Sequence, residues 1–239
     1  MKNLPQYIVG LLSLVLVLLG GPILADSPSA AASAAKPALE RFVEGKHYQR
    51  VPSDVSRDPL VQDLIQASRD KVKVLEFFSY GCSWCYKLDP FMEKWQKSAP
   101  SFVSFERIPV EFQASWGTLT KAYYTALELN ALDKIHSPLF EAVHSEKITN
   151  SAEDTLRGFF VSRGIAGQEF TRVFDSSEVA KKQKWAASVA RACRVTFLPA
   201  VMVEGPKGIF VTTVWMAGSE ENLLKVLDYL VMLQHENRP

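Results

Sequence analysis

Cysteine and histidine are scarce in this chain, which has three cysteines and four histidines among 239 residues. A zinc site usually takes about four such ligands at close spacing, and a CxxC pair can supply two of them. Cys82 and Cys85 form such a pair, but Cys193 stands alone and the histidines form no paired ligand motif. The scarcity favours redox chemistry at the pair, with metal binding or an inert structural bridge as the alternatives.

The chain also has no marked excess of positive or negative charge. The formal net charge is +1, so the composition indicates neither nucleic acid nor an anionic membrane surface as a partner. The sequence shows no internal repeat. The residues after position 25 are enough for one sizeable core, or for a core with an inserted subdomain.

The apolar run near the N-terminus is too short for a comfortable membrane span. It covers residues 7–19, follows Lys2 and is broken by residues 20–22, which read GGP. This pattern predicts a secretory signal peptide over residues 1–25. Ala25 offers a small residue for cleavage, but Ile23 stands two positions before Ala25, where a small residue is usual, so an uncleaved N-terminal anchor is the alternative. In either case we expect the rest of the chain to be exported, into a compartment where disulfides persist.

Residues 26–43 predict a flexible linker, because their Ala/Ser/Pro-rich stretch has too few large apolar side chains to form a core. The end of this segment could form a short helix carrying Leu39, Phe42 and Val43. These three side chains would form an exposed apolar patch on a monomer. A homodimer through the N-terminal segment is therefore a possible partner arrangement.

The remaining sequence predicts an α/β chain in three parts, residues 44–111, 112–193 and 194–239. The first part contains, in order, a strand at 45–51, a helix at 58–68, a strand at 72–78, a helix at 82–97 and a strand at 102–110. We expect Pro90 to kink the second of these helices.

The second part is predicted to be entirely helical. Ser151 resembles the N-terminal cap of one helix, Gly164 is placed to end it, and a last long helix covers residues 179–193. In the third part, strands at 199–203 and 209–214 flank a turn, and Ser219 opens a final helix. We expect the strands of the first and third parts to form one sheet, with the helical block as an excursion between them.

The stretch around the CxxC pair combines strand, turn and helix. Residues 74–86 read VLEFFSYGCSWCY, and Cys82 opens the helix, where free backbone N–H groups and the helix dipole favour a thiolate. We therefore expect Cys82 to have a lowered pKa and to be reactive. The spacing brings Cys85 back towards Cys82, so the pair can close as a disulfide and reopen by thiol exchange. This redox-active disulfide needs no organic cofactor or metal.

These residues, with EGKHY at 44–48 and Leu198-Pro199 before the hairpin, resemble the DsbA family of periplasmic thiol:disulfide oxidoreductases. The resemblance covers about residue 44 to the C-terminus. It implies an α/β fold, namely a thioredoxin fold interrupted by an inserted all-helical subdomain, and a periplasmic location.

The resemblance also implies roles for individual residues. Cys82 would be the attacking nucleophile and Cys85 the buried resolving thiol. Leu198 and Pro199 would form a cis-proline loop that pairs with an extended substrate segment, whereas an ordinary trans proline at a strand start is the alternative.

Glu76 matches the buried acid that this family carries beneath its active site. Such a carboxyl could relay protons to Cys85 or tune its pKa, and Arg107 would be the basic residue that accompanies it. A purely structural buried pair, or for Arg107 a solvent-facing position, is the alternative.

The dipeptide Ser83-Trp84 departs from the Pro-His of strong oxidases in this family. Trp84 could shield the site or contact substrate, but it places no cationic ring at the thiolate. We therefore expect Cys82 to be acidic, though less so than in the strongest oxidases. Cys193 is expected to be a buried small apolar residue, with an intermolecular disulfide as the alternative.

The function that follows is donation of a disulfide to folding exported proteins. A membrane redox partner that reoxidises the pair is implied by the resemblance alone. The alternatives are a disulfide isomerase or reductase whose pair is kept reduced, a peptide-binding chaperone without enzymatic activity, and a metal carrier.

Overall fold

The computed structural model describes residues 42–66, 70–145, 147–148 and 150–236. The strands within these ranges are β1 (Gln49–Arg50), β2 (Val72–Phe78), β3 (Val103–Pro109), β4 (Ala200–Gly205) and β5 (Gly208–Thr213). The helices are α1 (Ser53–Ser56), α2 (Pro59–Gln66), α3 (Ser83–Ser98), α4 (Gly117–Glu128), α5 (Leu132–His144), α6 (Glu153–Val161), α7 (Gly167–Phe174), α8 (Ser177–Ala192), α9 (Val214–Ala217) and α10 (Glu220–His235). A 3-10 turn, Ala114–Trp116, precedes α4. None of the helices in the described ranges has the length and apolar character needed to cross a membrane.

The five strands form one sheet in the order β1-β5-β4-β2-β3. β2 pairs with β3 in parallel, and β4 pairs with β2 and β5 antiparallel. The expected union of a parallel half with a hairpin half is therefore confirmed. Between β3 and β4 the described part of the chain contains helices but no strand, as expected for a thioredoxin fold with a helical insertion.

All seven residues of β2 are buried, because helices cover both faces of the sheet. Successive side chains of a strand point to opposite faces. Leu75 and Phe77 belong to an apolar cluster shared with the helical block. Val74, on the other face, belongs to a second cluster with Leu88 and Met92 of α3 and with α10. Glu76 has the same parity as Val74, so the strand directs its carboxylate towards the face that α3 covers.

The expected helix starts at residue 58 and at Ser219 are confirmed, and each has a capping side chain. The Asp58 Oδ1 atom accepts a hydrogen bond of 2.9 Å from the Leu60 N–H at the start of α2. The Ser219 Oγ atom accepts one of 3.1 Å from the Asn222 N–H at the start of α10. Pro90 lies inside α3, and the kink expected there stays a prediction. Cap side chains satisfy N–H groups that a helix start leaves without partners, and so fix where these helices begin.

The expected cap at Ser151 is wrong. Helix α6 begins at Glu153 without a capping side chain from its N-cap residue Ala152. Instead, Asn150 Oδ1 accepts from the Ala152 N–H at 3.1 Å, and the Ser151 hydroxyl donates to the Ser115 carbonyl at 2.9 Å. The Ser151 hydroxyl is therefore used in a contact with a distant segment, while Asn150 closes a turn with the N–H group two residues further on.

The expected apolar patch before β1 is partly wrong. Leu39 lies outside the described residues. Phe42 is buried, with its ring centroid 5.7 Å from that of Tyr229 on α10, so it contributes to the core of its own chain. Val43 is exposed, and neither Phe42 nor Val43 is helical. The first edge strand is also shorter than expected, since β1 contains Gln49 and Arg50 only.

Candidate active site

The CxxC pair follows directly from the C-terminal end of β2. After Phe78 the chain makes a tight turn, in which the Cys82 N–H donates to the Ser79 carbonyl at 3.0 Å. The Gly81 N–H donates to the Ser79 hydroxyl at 3.2 Å, and α3 begins at Ser83 with Cys82 as its N-cap residue. The strand–turn–helix arrangement predicted from the sequence is therefore confirmed.

Cys82 is half-buried, and its sulfur occupies a position normally taken by a capping oxygen. The Cys82 Sγ atom accepts from the Cys85 N–H at 3.2 Å. A hydrogen bond from the Cys85 thiol, aided by the backbone N–H groups of Cys85 and Trp84, lowers the pKa of Cys82 to about 7. Near neutral pH a large fraction of Cys82 is therefore thiolate, the nucleophilic form of a cysteine.

Cys85 has the opposite character. Its side chain is 1 % exposed, and burial raises the pKa of its thiol well above the usual range. All three cysteines are free thiols, so the structure represents the reduced pair. One sulfur is thus accessible and acidic, while the other is hidden and protonated. This asymmetry suits attack by Cys82 and later resolution by Cys85.

Cys193 lies apart from this chemistry. It is buried at the C-terminal end of α8, and burial raises the pKa of its thiol to about 12. A thiol that stays protonated at neutral pH is a poor nucleophile. The expectation that Cys193 is a buried small apolar residue is confirmed.

Trp116 lies against the turn that precedes Cys82. A β-carbon added to Gly81 would lie 2.6 Å from Cε2 and 2.7 Å from Cδ1 of the Trp116 indole, closer than real β-carbons approach other atoms. The side chains of Ser151 and Gln183 donate to the backbone carbonyls immediately before and after Trp116. The helical block thus holds the indole in place, and residue 81 must be glycine for the two parts to pack.

We expect Gly81→Ala to destabilise the protein by about 1–3 kcal/mol, since an added methyl group in a tightly packed place forces its neighbours to move. Thiol exchange at Cys82 should slow as well, because the displaced turn sets the start of α3. Urea unfolding and an exchange assay measure the two effects. In the matched control Gly158→Ala, the new methyl group on α6 meets nothing within 4 Å, so we expect no loss and a gain of at most about 1 kcal/mol. Equal stabilities of the two variants would contradict the proposed packing.

Glu76 and Arg107 form a buried ion pair beneath α3. Glu76 on β2 is 3 % exposed and lies directly opposite Arg107 on β3. The Arg107 Nε atom donates to Glu76 Oε2 at 2.8 Å. Burial raises the pKa of Glu76, although the charge of Arg107 opposes this change. The sequence-based placement of both residues is confirmed, while the proton-relay role of Glu76 stays a prediction.

Three further residues of this cluster were not recognised in the sequence. Asp89 and Glu93 lie on α3, and His136 lies on α5. Arg107 Nη2 is 3.0 Å from Glu93 Oε1 and 3.9 Å from Asp89 Oδ1. The ligand atoms of Asp89, Glu93 and His136 lie within 4.8 Å of one another. The guanidinium of Arg107 already supplies a cation to these carboxylates, so we assign no metal to the cluster.

The Leu198–Pro199 peptide bond is cis, as the resemblance implied. The next residue, Ala200, pairs with Phe77 near the C-terminal end of β2. Pro199 is therefore at the end of the sheet from which the turn to Cys82 leaves, and it is buried while Leu198 is half-buried. The contribution of Leu198 and Pro199 to substrate binding stays a prediction.

Large apolar side chains are exposed on three segments at this end of the sheet. Trp84 in the first turn of α3 is 54 % exposed, and Phe197 before the cis-proline is 73 % exposed. Trp215, just after β5, is 93 % exposed. The Lys87 ammonium lies 4.2 Å above the Trp84 ring, so this ring carries a cation on one face. Of the three, only Trp84 is a candidate from the sequence, because Phe197 and Trp215 reach this end of the sheet through the pairing of β4 with β2 and with β5.

Comparison with known proteins agrees with this geometry. The family model described as DSBA-like thioredoxin domain matches residues 73–228. The thiol:disulfide interchange protein DsbA of Azotobacter vinelandii is 28 % identical over 187 residues, which are 78 % of this chain and 82 % of the relative. The protein of the same name from Bordetella pertussis is 32 % identical over 163 residues, covering 68 % and 76 %. The crystal structure of Pseudomonas aeruginosa DsbA aligns with a TM-score of 0.70 at 26 % identity, over 82 % of this chain and 95 % of that one.

Proposed function

This chain belongs to the family of DSBA-like thioredoxin domains, and from that premise we propose that it introduces disulfides into exported proteins through Cys82 and Cys85. It is a protein thiol:disulfide oxidoreductase. The observation that carries the proposal is the asymmetry of the pair, with an acidic, half-buried Cys82 at a helix start and a buried, protonated Cys85.

The proposed reaction begins with the oxidised enzyme. A substrate thiolate attacks the Cys82 sulfur, the Cys82–Cys85 bond breaks, and Cys85 leaves as a thiolate that takes up a proton. A second substrate thiolate then attacks the substrate sulfur of the mixed disulfide. This step releases the substrate disulfide and the Cys82 thiolate, so two electrons pass from substrate to enzyme. The acidity of Cys82 makes it a good leaving group in that step.

In this reaction we assign Glu76 the proton transfer at Cys85. A buried carboxyl with a raised pKa binds a proton more readily than an exposed one and can give it to a thiolate. Burial is the main cause of the raised pKa of the Cys85 thiol, and the Glu76 carboxylate adds to it when it is ionised. This mechanism requires no cofactor beyond the redox-active Cys82–Cys85 pair.

The substrate surface that we propose is formed by the cis-proline loop and the exposed rings of Trp84, Phe197 and Trp215. Exposed aromatic rings at one end of the sheet suit the apolar side chains of an unfolded polypeptide. Leu198 and Pro199 would supply backbone groups to an extended segment of such a substrate. The partners are therefore exported proteins that are still folding.

We further propose a periplasmic location and a membrane redox partner that reoxidises the pair. The location is supported by the N-terminal apolar run, which lies outside the described residues. A homodimer through the N-terminal segment stays a prediction, since Leu39 also lies outside them.

The direction of electron flow can be tested by trapping thiols in freshly acid-quenched cells. We expect the Cys82–Cys85 pair to be mostly oxidised, so that after denaturation an alkylating reagent labels Cys193 alone. A Cys193→Ala variant should then show no labelled thiol. A pair found mostly reduced, with three thiols labelled in the parent protein, would favour an isomerase or reductase and contradict the proposed direction.

A further inference from the structure

His136 is buried between the active-site turn and the active-site helix. The side chain is 3 % exposed. Its Nδ1 atom is 2.8 Å from the hydroxyl of Tyr80, two residues before Cys82, and its Nε2 atom is 3.0 Å from Asp89 Oδ1. Asp89 lies one helical turn after Cys85 on the same face of α3. The imidazole thus connects the two segments that hold the CxxC pair.

The two oxygens of Asp89 face different groups. The Ser137 hydroxyl donates to Asp89 Oδ2 at 2.6 Å, while His136 and, at 3.9 Å, Arg107 face Oδ1. Burial would raise the pKa of Asp89, but the imidazole of His136, Ser137 and Arg107 together hold it below its usual range. Asp89 is therefore a permanent negative charge in the cluster.

The cluster contains more acids than bases. Glu76, Asp89 and Glu93 all face the single guanidinium of Arg107. Buried charges are stable only when they are balanced, so full ionisation of the three carboxyls calls for a second cation nearby. Among the described residues that contact this cluster, His136 can supply the second cation by taking up a proton.

We propose that His136 is a positioning residue of the exchange reaction, which acts through Asp89 and Arg107 to set the charge state of Glu76 and hence the pH at which Cys85 exchanges its proton. This inference rests on the proposed function, because it concerns the same reaction at the same pair. His136 touches neither substrate nor the sulfurs in the contacts described above.

The charged and titratable groups around His136 come from every element packed against it. They are Glu76 on β2, Tyr80 in the turn, Asp89 and Glu93 on α3, Arg107 on β3 and Tyr123 on α4. Burial raises the pKa values of Tyr80 and Tyr123 well above neutrality, so both stay uncharged during the reaction. The balance thus lies between His136, Arg107 and the three carboxyls.

The effect on Cys85 follows from this balance. A positive charge at His136 favours the ionised form of Glu76, since opposite charges stabilise each other. Ionised Glu76 can accept the Cys85 proton when Cys85 attacks a mixed disulfide at Cys82. In that step the Cys82–Cys85 bond forms, the other thiol leaves as a thiolate, and the proton of Cys85 passes to Glu76. Without His136, Glu76 should stay protonated to higher pH and the step should need a more alkaline solution.

The test is stopped-flow oxidation of the reduced protein by glutathione disulfide, in which the resolving step is independent of glutathione disulfide concentration. The rate of the resolving step should rise with pH. We expect His136→Gln to move the midpoint of this rise upward by about one pH unit, as for the loss of one nearby charge. Glutamine is polar and similar to histidine in size, but it cannot be charged. The matched control His47→Gln removes an imidazole beside β1, at the opposite edge of the sheet, and should leave the midpoint unchanged.

A double-mutant cycle separates electrostatics from structure. In a Glu76→Gln background, His136→Gln should shift the midpoint no further, because Glu76 is the group through which it acts. A lower rate at every pH with an unchanged midpoint would show that His136 only supports the structure, and would overturn the proposal. If the parent protein fails to react with glutathione disulfide, the proposed function itself falls.

A measurement that keeps His136 covers the case in which His136→Gln does not fold. The NMR signal of the His136 imidazole can be followed against pH in the parent and in Glu76→Gln. By reciprocal linkage, loss of the Glu76 charge should lower the midpoint of His136 titration by about one unit. Identical titrations in the two proteins would overturn the proposal.

Discussion

Replacing Cys82 with alanine is expected to reduce disulfide formation in a reduced, unfolded substrate protein to the rate seen without enzyme. Cys82 is the accessible and acidic thiol of the pair, whereas Cys85 is 1 % exposed and protonated at neutral pH. No other described cysteine can replace it, because burial keeps Cys193 protonated. A refolding assay that requires disulfide formation measures the loss.

Cys85→Ala should fail in a different way. Cys82 can still form a mixed disulfide, but the thiol that resolves it is gone, so covalent complexes with substrate should accumulate. These complexes can be counted on non-reducing gels, and Cys193→Ala serves as the control that should behave like the parent. Substantial oxidase activity in Cys82→Ala would contradict the redox assignment. Suppression of aggregation that survives both Cys82→Ala and Cys85→Ala would instead favour a peptide-binding chaperone.

Arg107→Met should destabilise the protein more than Gly81→Ala does. We expect a loss of about 3–5 kcal/mol, because the buried Glu76 is left without its partner. Arg107 also faces Glu93 and Asp89, and its own side chain is 9 % exposed. Urea unfolding measures the loss. The matched control is Arg157→Met, which breaks an ion pair with Asp154 on the surface of α6. We expect that control to lose less than about 1 kcal/mol, as is usual for exposed pairs.

The loss in Arg107→Met should depend on pH in a defined direction. The pKa of Glu76 in the folded protein is already raised by burial, and removing Arg107 raises it further. A raised pKa means that the folded state holds its proton more tightly than the unfolded state. The variant should therefore be closest to the parent in stability in acid, below the ordinary range of a carboxyl, and should lose stability as the pH rises through the folded pKa.

Adding Glu76→Gln to Arg107→Met should recover part of the stability at neutral pH, since the amide carries no charge to bury. A double variant as unstable as Arg107→Met, or a loss independent of pH, would show that Arg107 acts through packing alone. Its guanidinium does lie 4.9 Å from the centre of the Phe105 ring, so a packing contribution is measurable separately with Arg107→Lys.

The sequence was sufficient to predict the elements whose signals are local. The apolar run at 72–78 matches β2 at both ends, and the helix start at Cys82 follows from the turn residues before it. Cys82, Cys85 and Glu76 were recognised because the chemistry of each is visible within one short segment. The cap at Ser151 was wrong because its hydroxyl donates instead to the carbonyl of Ser115, a residue 36 positions away.

Contacts between distant segments could not be predicted in the same way. Tyr80 and His136 are 56 positions apart, and the indole of Trp116 reaches Gly81 only because the helical block is anchored beside the turn. Asp89 left a weak local signal, since it is an acid on the buried face of α3. A buried charge indicates that a partner exists, but the sequence alone does not indicate which residue provides it.

The pairing of β2 with β4 also determines when this protein can assemble during synthesis. Residues 74 and 203 are partners in the sheet, although the chain separates them by about 130 positions, so the contact order of this pairing is high. Until β4 emerges, one edge of β2 has no strand beside it and the cis-proline loop does not exist. The nascent chain therefore carries the CxxC sequence long before it has the surroundings that make Cys82 acidic and hide Cys85. During that interval it is itself an unfolded polypeptide with reactive thiols, of the kind that the finished protein oxidises.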